Sequence, residues 1–472
     1  MVNAFGASIG TSVAARLFGA SSQPGERQSR TSILIPDLAL KQHVRTALVN
    51  AVVQPASVTV MPPDSILFAL REDARTDSNR FDGALVPMWQ LGELIADELI
   101  LPLADLHNAA DSRSQANQEL SEFPSIGQLR RFGDTRYATP LDANSLLLYY
   151  RTDLVGNAPD SIATWSDLIE SSRSLSTPSI NGVSLGLGRG SVGYTNFLAL
   201  ANPMFIGPQN ASNFWFDPET FDSLIDREPF GETAALFLQL SDLGPRDQFN
   251  WTPAESCRHF LDGNSVFTIA PCDMVRLIPG SGFAEQIGIA RLPGSHVYFD
   301  PSDGSAYSSD KPNTPGNAFG SNWGGIVRTS ARDPEAAVTL LDSLSVVTAS
   351  SPLDWSLGGG LCPGRPSQLP RNFAPADDRI VQELGYPNLL LSQFSDALEA
   401  TLTAPLRFPH LRIPGANDYH SILDRAVHDL ATAANTSISS VLRRAAAEFN
   451  VISDRLGRQR QLKMYRQSLQ RR

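Results

Sequence analysis

With 472 residues the chain is too long for one ordinary hydrophobic core, so two lobes or more are expected. Its 42% apolar and 18% charged content exclude a disordered polymer, and its net charge of −11 excludes nucleic acid as a general partner, because phosphate binding needs a basic face. No apolar run is long enough for a membrane-spanning helix.

Residues 1–30 read as a disordered or targeting segment. Residues 2–20 are small and mildly apolar, but they lack a basic start and Arg16 interrupts them, which makes a poor export signal. A first strand is expected from Ser32 to Ile35, followed by a helix carrying Leu40, Val44, Ala47, Leu48 and Ala51. Val58–Met61 and Phe81–Met88 read as the next strands, and Trp89 opens a helix with Leu91, Leu94, Ile95 and Leu99. Such alternation predicts a mainly parallel α/β sheet, whose ligands bind at the carboxyl ends of the strands, where Trp89 stands. Residues 107–122 are polar, a surface helix or loop. Leu146–Tyr150 is a five-residue apolar run of buried-strand length, and Thr164 with Asp167 forms a capping-box pair that starts a helix at Trp165. Val266–Ile269 and Ile287–Leu292 are further strands, and residues 300–317, rich in Ser, Pro, Asp and Gly, read as a flexible loop. Asp333-Pro334 suits the N-cap and first turn of a helix with Ala337, Leu340, Leu341 and Leu344 on one face. Two amphipathic helices follow near the end, Tyr419–Leu430 and Ile438–Ile452, before a basic tail over 455–472.

No G-x-S-x-G, H-E-x-x-H or Walker sequence is present, the seven histidines show no metal spacing, and no cofactor or metal is expected. GLGRGSVGYTN (186–196) contains closely spaced glycines but no strand-then-helix phosphate context; Tyr194 and Asn196 at its end could line a cleft. Cys257, Cys272 and Cys362 form no zinc pattern; Cys257 and Cys272 could bridge, but three buried or partly buried thiols is the preferred reading. Trp89 either stacks a ligand ring or caps a core. Trp323 stands before Gly324 and Gly325, which would let backbone approach a ligand beside a flat apolar face, so contact with ligand is preferred there. Trp165 is expected to pack. Asp142 and Asp273 each either accept ligand hydroxyls or hold their own turns, and Arg365 either reaches a cleft or holds its loop.

The stretch YATPLDANSLLLYYRTDLVGNAPDSIATWSDL (137–168) resembles the inter-lobe crossing of the extracellular (periplasmic) solute-binding proteins of ABC transporters, family 1 type, whose sugar-binding members capture saccharides. FDGALVPMWQLGELIADELILPLADL, EQIGIARLPG, NWGGIVRTSARDPEAAVTLLDSL and GGGLCPGRPSQL are similar to further segments of that family, in the same order. SVFTIAPCD departs from it, with Cys272-Asp273 where many members carry an aromatic residue. The resemblance implies a two-lobed periplasmic-binding-protein-like α/β fold with discontinuous lobes joined by a multi-strand hinge. Lobe one would take 31–141 plus 312–350, and lobe two 142–311 plus 351–472 with the C-terminal helices. It implies a small polar solute, a saccharide foremost, held in an inter-lobe cleft by Trp89, Asp142, Tyr194, Asn196, Asp273, Trp323, Gly324, Gly325 and Arg365. It also implies delivery to permease subunits, an extracytoplasmic location, a monomer and no catalysis. Two other readings stand beside it: a carbohydrate-active enzyme using paired carboxylates, and a sensor or scaffold on the same fold that does not transport.

Overall fold

Short apolar runs build two sheets. A computed structural model describes residues 30–38, 41–49, 56–106, 122–156, 162–190, 193–205, 215–300, 304–317, 322–350, 361–372, 381, 383–387, 389–404, 410–432 and 437–469. The disordered or targeting segment expected at the N-terminus and nearly all of the polar stretch 107–122 lie outside them. β1 (Ser32–Pro36) and β3 (Gly83–Pro87) are buried at every position, and β2 (Ser57–Met61) flanks them at the sheet edge. β1 runs parallel to both neighbours. After a small ribbon of β4 (Arg131–Phe132) and β5 (Thr135–Arg136), the chain forms β6 (Thr139–Pro140), a short edge strand of this sheet.

The second sheet begins with β7 (Leu146–Arg151), the apolar run of the sequence. It continues with β8 (Asn181–Ser184), β9 (Ser265–Pro271) and β10 (Ile287–Ala290), in the spatial order β10-β7-β9-β8. Side chains alternate across β7. Leu147 and Tyr149 enter the same core as β1 and β3, whereas Leu146, Leu148 and Tyr150 enter a second core with Phe197, Phe237 and Phe449. This is the period-two signature of a strand covered on both faces.

Beyond β10, β11 (Ser295–Phe299) and β12 (Ala306–Asn313) form an antiparallel ribbon, and β13 (Trp323–Val327) returns to the first sheet between β3 and β6. Two expectations are corrected here. Residues 300–317 are not simply a loop: Tyr298 and Tyr307 face each other across the ribbon with rings 5.6 Å apart, and such cross-strand pairs stabilise strands whose polar composition hides them. The sheets are mixed rather than mainly parallel, because β13 arrives from the other half of the chain without a crossover helix and lies antiparallel to β3 and β6.

The capping box is present in both directions: the Thr164 side chain accepts from Asp167 N–H, and the Asp167 carboxylate accepts from Thr164 N–H. Trp165 behind it is 1% exposed, the packing residue expected. Thr164→Ala should cost about 1 kcal/mol in urea unfolding, with no change in ligand affinity. The sequence reading passed over the helix Ile66–Arg75, which buries Ile66, Leu67, Ala69 and Leu70. Nor is the basic tail a loose end. Arg458–Ser468 is a helix that buries Leu462 and Tyr465, whose hydroxyl accepts from the backbone of Trp215 and Phe216.

The chain passes from the first sheet to the second between Pro140 and Leu146, returns between Asn313 and Trp323, and after the helix Pro334–Ser350 makes a third passage that carries Cys362. Asn317 on the second passage pairs with Leu146 at the end of the first, its side chain accepting from the backbone N–H at 2.7 Å and donating to the carbonyl at 3.2 Å. Asn322 donates to Asn144 O at 3.2 Å and takes a φ of 44°, a left-handed turn into β13 that asparagine tolerates. On the third, Cys362 is disulfide-bonded to Cys272, 90 residues away, while Cys257 stays a free buried thiol pushed up to about 12 by burial. The reading of three free thiols, and the Cys257–Cys272 option, are thereby corrected. Cys257 faces the sheet from the helix Pro253–Leu261, whereas Cys272 leaves the end of β9 beside the third passage. A buried thiol of this kind is inert.

Candidate functional site

The edge of the first sheet opens on a cavity of about 490 Å³. β3 ends there at Pro87, and a short 3-10 turn, Met88–Gln90, carries Trp89 and Gln90 to the opening. β13 is antiparallel, so its first residue, Trp323, pairs with the last residue of β3 and stands at the same edge. Pro63, Asp64, Leu67, Phe68 and Arg71, from the turn after β2 and the following helix, complete this wall. Tyr194, His410 and Asn417 face it from the half of the molecule built on the second sheet. Of the nine residues read from the sequence as ligand-binding, the structure thus brings three into one cavity: Trp89, Tyr194 and Trp323.

Behind the opening lies an aromatic cluster that the sequence did not reveal. The His410 ring lies 6.3 Å from Trp89 at 29°, and the His420 ring lies 5.4 Å from Tyr194 at 21°. The two imidazoles are 5.3 Å apart, and Trp215 stands 5.4 Å from His420. Burial pushes the His410 imidazole down to about 4 and His420 well below its ordinary value, with the neighbouring His410 adding to the effect on His420. Both rings are therefore neutral at pH 7. His420 Nε2 accepts the backbone N–H of Leu411 at 3.0 Å, which places its own proton on Nδ1. His410 Nδ1 faces the Tyr194 hydroxyl at 3.5 Å. Burial holds that phenol protonated far above pH 7.

The other six expected residues lie outside this lining. A Cβ at Gly324 would meet the Met88 side chain at 2.9 Å, and one at Gly325 would meet Leu341 at 2.8 Å, so both glycines allow close packing at these positions. Asn196 is buried in the helix Tyr194–Phe205, donating to Gly186 O at 3.4 Å. Arg365 is buried, donating to Ser345 Oγ at 2.7 Å with Glu122 at 3.5 Å, and so holds its loop. Asp142 is buried at the passages, where its carboxylate accepts the Cys362 N–H at 2.9 Å and the backbone of Trp323 and Ala143. Burial, together with the nearby Asp273, raises it to about 7. Asp273 follows the disulfide-bonded Cys272 and is itself raised by burial, against the pull of Arg276. These two carboxylates belong to the junction of the passages.

His410, His420 and Gln90 were not legible as site residues. His410 sits in a loop and His420 on the helix Ala416–Thr432, with no periodicity linking them to Trp89 or Tyr194. Among the described residues no group of three His, Cys, Asp or Glu side chains is placed to hold a metal ion.

Residues 69–237 match the family model described as bacterial extracellular solute-binding protein. No curated protein matches the chain. Among solved structures, an ABC transporter solute-binding protein from Agrobacterium radiobacter K84 in complex with ribitol is 17% identical, with a TM-score of 0.67 over 90% of this chain and 99% of its own. Maltose-bound MalE3 of T. maritima is 15% identical, with a TM-score of 0.65 over 90% of this chain and 99% of its own. The sugar-binding protein MalE from Xanthomonas citri is 14% identical, with a TM-score of 0.67 over 91% and 99%. This chain has the two-lobed fold of the bacterial extracellular solute-binding proteins, and over residues 69–237 it matches the model of that family.

Proposed function

We propose that this protein is the solute-binding component of an ABC importer, working outside the cytoplasm and handing a captured saccharide to membrane permease subunits. The observation that carries this reading is the cavity at the sheet edge, walled by Trp89 and Trp323 on one side and Tyr194 on the other. Flat aromatic faces suit the apolar faces of a sugar ring, and a cavity of about 490 Å³ is of a size for a small ligand. The described structures on the same fold are bound to ribitol and maltose, which supports a sugar or polyol here. The lobes would comprise 31–141 with 312–350 and 142–311 with 351–472, rotating about the three passages to close on the ligand.

The enzymatic alternative needs two carboxylates facing each other across a bond, roughly 5–10 Å apart. Among the described residues lining the cavity, Asp64 is the one carboxylate, and it is exposed. That arrangement favours capture over hydrolysis.

The test is a thermal-shift and calorimetric screen against mono-, di- and oligosaccharides and polyols. A ligand at a hundredfold excess over its Kd should add about 2.7 kcal/mol of stability. Trp323→Ala should then weaken binding by about 1.5–3 kcal/mol, roughly ten- to a hundredfold in Kd. Absence of any response across the panel overturns the saccharide reading.

A further inference from the structure

Asp142 binds all three passages. It stands on the first, between β6 and β7, and is 4% exposed. Its carboxylate accepts the Cys362 N–H of the third passage at 2.9 Å, and it accepts from the backbone of Ala143 and of Trp323, where the second passage enters β13. Neighbouring bonds join the passages two at a time: Ser145 Oγ donates to Asn317 O at 2.9 Å, Asn322 to Asn144 O at 3.2 Å, and Ala143 N–H to Cys362 O at 3.2 Å. A buried carboxylate stays charged at little cost only beside a cation. The charge that bears on Asp142 is instead a second carboxylate, Asp273, which opposes its ionisation. Asp273 is itself faced by Arg276, with the Tyr149 phenol and the Cys257 thiol close by, both kept protonated by burial. Arg365 on the third passage is turned to Ser345 and Glu122.

We propose that Asp142 is a pH-sensitive latch between the two halves of the molecule: protonated, it holds the three passages together as described here, and ionised, it favours their parting, so that the halves are freed to rotate as pH rises. The sign follows from solvation. Parting the passages lets water reach the carboxylate and lowers the cost of its charge, so the parted arrangement holds the proton less tightly than the joined one. By linkage, each rise in pH across the interval between those two proton affinities shifts the population towards the parted arrangement. Burial and Asp273 put the upper end of that interval, set by the joined arrangement, at about 7. Above it the shift is complete. The latch is a property of the passages themselves and stands whatever the cleft binds.

The experiment is amide hydrogen exchange of the ligand-free protein between pH 5 and pH 8, with each rate corrected for its intrinsic pH dependence. Protection of the Cys362 and Trp323 amides should fall by roughly tenfold or more across this range and level off above about pH 7. In Asp142→Asn, which keeps an oxygen for these amides and has no charge to bury, their protection should stay level. Asp273→Asn, which removes the opposing charge, should move the fall to lower pH. The amides of the buried strand β1 report global unfolding, and they should remain better protected than that of Cys362 at every pH. Should Asp142→Asn fail to fold, the wild-type profile and its displacement in Asp273→Asn decide the matter. The proposal is overturned by a level profile in the wild type, by a fall of the same size in folded Asp142→Asn, or by Cys362 protection equal to that of β1, which would mean exchange through global unfolding. None of these outcomes bears on whether the cleft takes a sugar.

Discussion

Removing the Cys272–Cys362 disulfide by serine at both positions is expected to lower the unfolding free energy by about 4–5 kcal/mol. The bond closes a loop of 90 residues, and the chain-entropy relation for a loop of that length predicts a loss of this size. The effect acts mainly through the unfolded chain. The native contacts around the bond persist without it: Cys272 N–H donates to Ser145 O at 2.8 Å, Cys362 N–H donates to Asp142, and Cys362 O accepts from Ala143 N–H at 3.2 Å. The variant should therefore fold and keep its passages side by side, with a lower urea midpoint and a slope that is unchanged or slightly steeper. Wild-type protein treated with reductant should shift by the same amount. A midpoint insensitive both to reductant and to the double substitution would show that this cross-link contributes nothing to stability.

Asp142→Asn is expected to stabilise the protein increasingly as pH rises, by about 4 kcal/mol between pH 4 and pH 8. In the folded protein Asp142 is raised from 3.8 to about 7, chiefly by burial and further by Asp273, against the pull of the Cys362, Trp323 and Ala143 backbone groups. Between those two values the folded state holds a proton that the unfolded chain has released. The wild type therefore loses stability as pH rises through the window, and above it the loss is complete. Asparagine keeps an oxygen for the Cys362 N–H and has no charge to bury. The two buried histidines have the opposite sign. His410, lowered to about 4, takes up its proton in the unfolded chain first, so its contribution is lost as pH falls from the ordinary histidine range towards 4, and His420 acts in the same direction. Both are common to wild type and variant and cancel in the difference. Urea unfolding of both proteins at pH 4, 6 and 8 measures the gap. A gap that stays constant with pH would mean that Asp142 is not the buried acid described here.

The two experiments probe one place. Asp142, Cys272, Cys362 and the backbone of Trp323 meet where the three passages cross, so the residue that walls the cleft begins its strand on a bond to the same carboxylate that binds the third passage. Of the residues read from the sequence as possible ligand contacts, Asp142 binds the backbone of this junction, and Arg365 binds Ser345 and Glu122. Their alternatives, holding their own turn or loop, come closer to where the structure puts them.

The apolar run at 146–150, the Thr164–Asp167 box and the Asp333-Pro334 start each depend on neighbours a few residues away, and each appears at its expected place. Trp89 was placed by the end of a strand and Trp323 by the glycine pair after it, and they share an edge because β3 and β13 run in opposite directions. Two kinds of feature escaped. Polar strands such as Ala306–Asn313 are stabilised by a partner strand rather than by their own composition, and so the ribbon read as a loop. Long-range convergence leaves no periodic trace: Cys272 meets Cys362, Asn317 meets Leu146, and His410 and His420 meet Trp89 and Tyr194 across well over a hundred residues in the last two cases. By itself the sequence determined several helices and most of the buried strands, because propensity, capping and burial patterns are set by near neighbours, while the two-lobed plan came from the resemblance. Only the tertiary structure decided which polar groups face the cleft and which hold the passages, because burial and hydrogen-bond partnership depend on what the rest of the chain brings alongside.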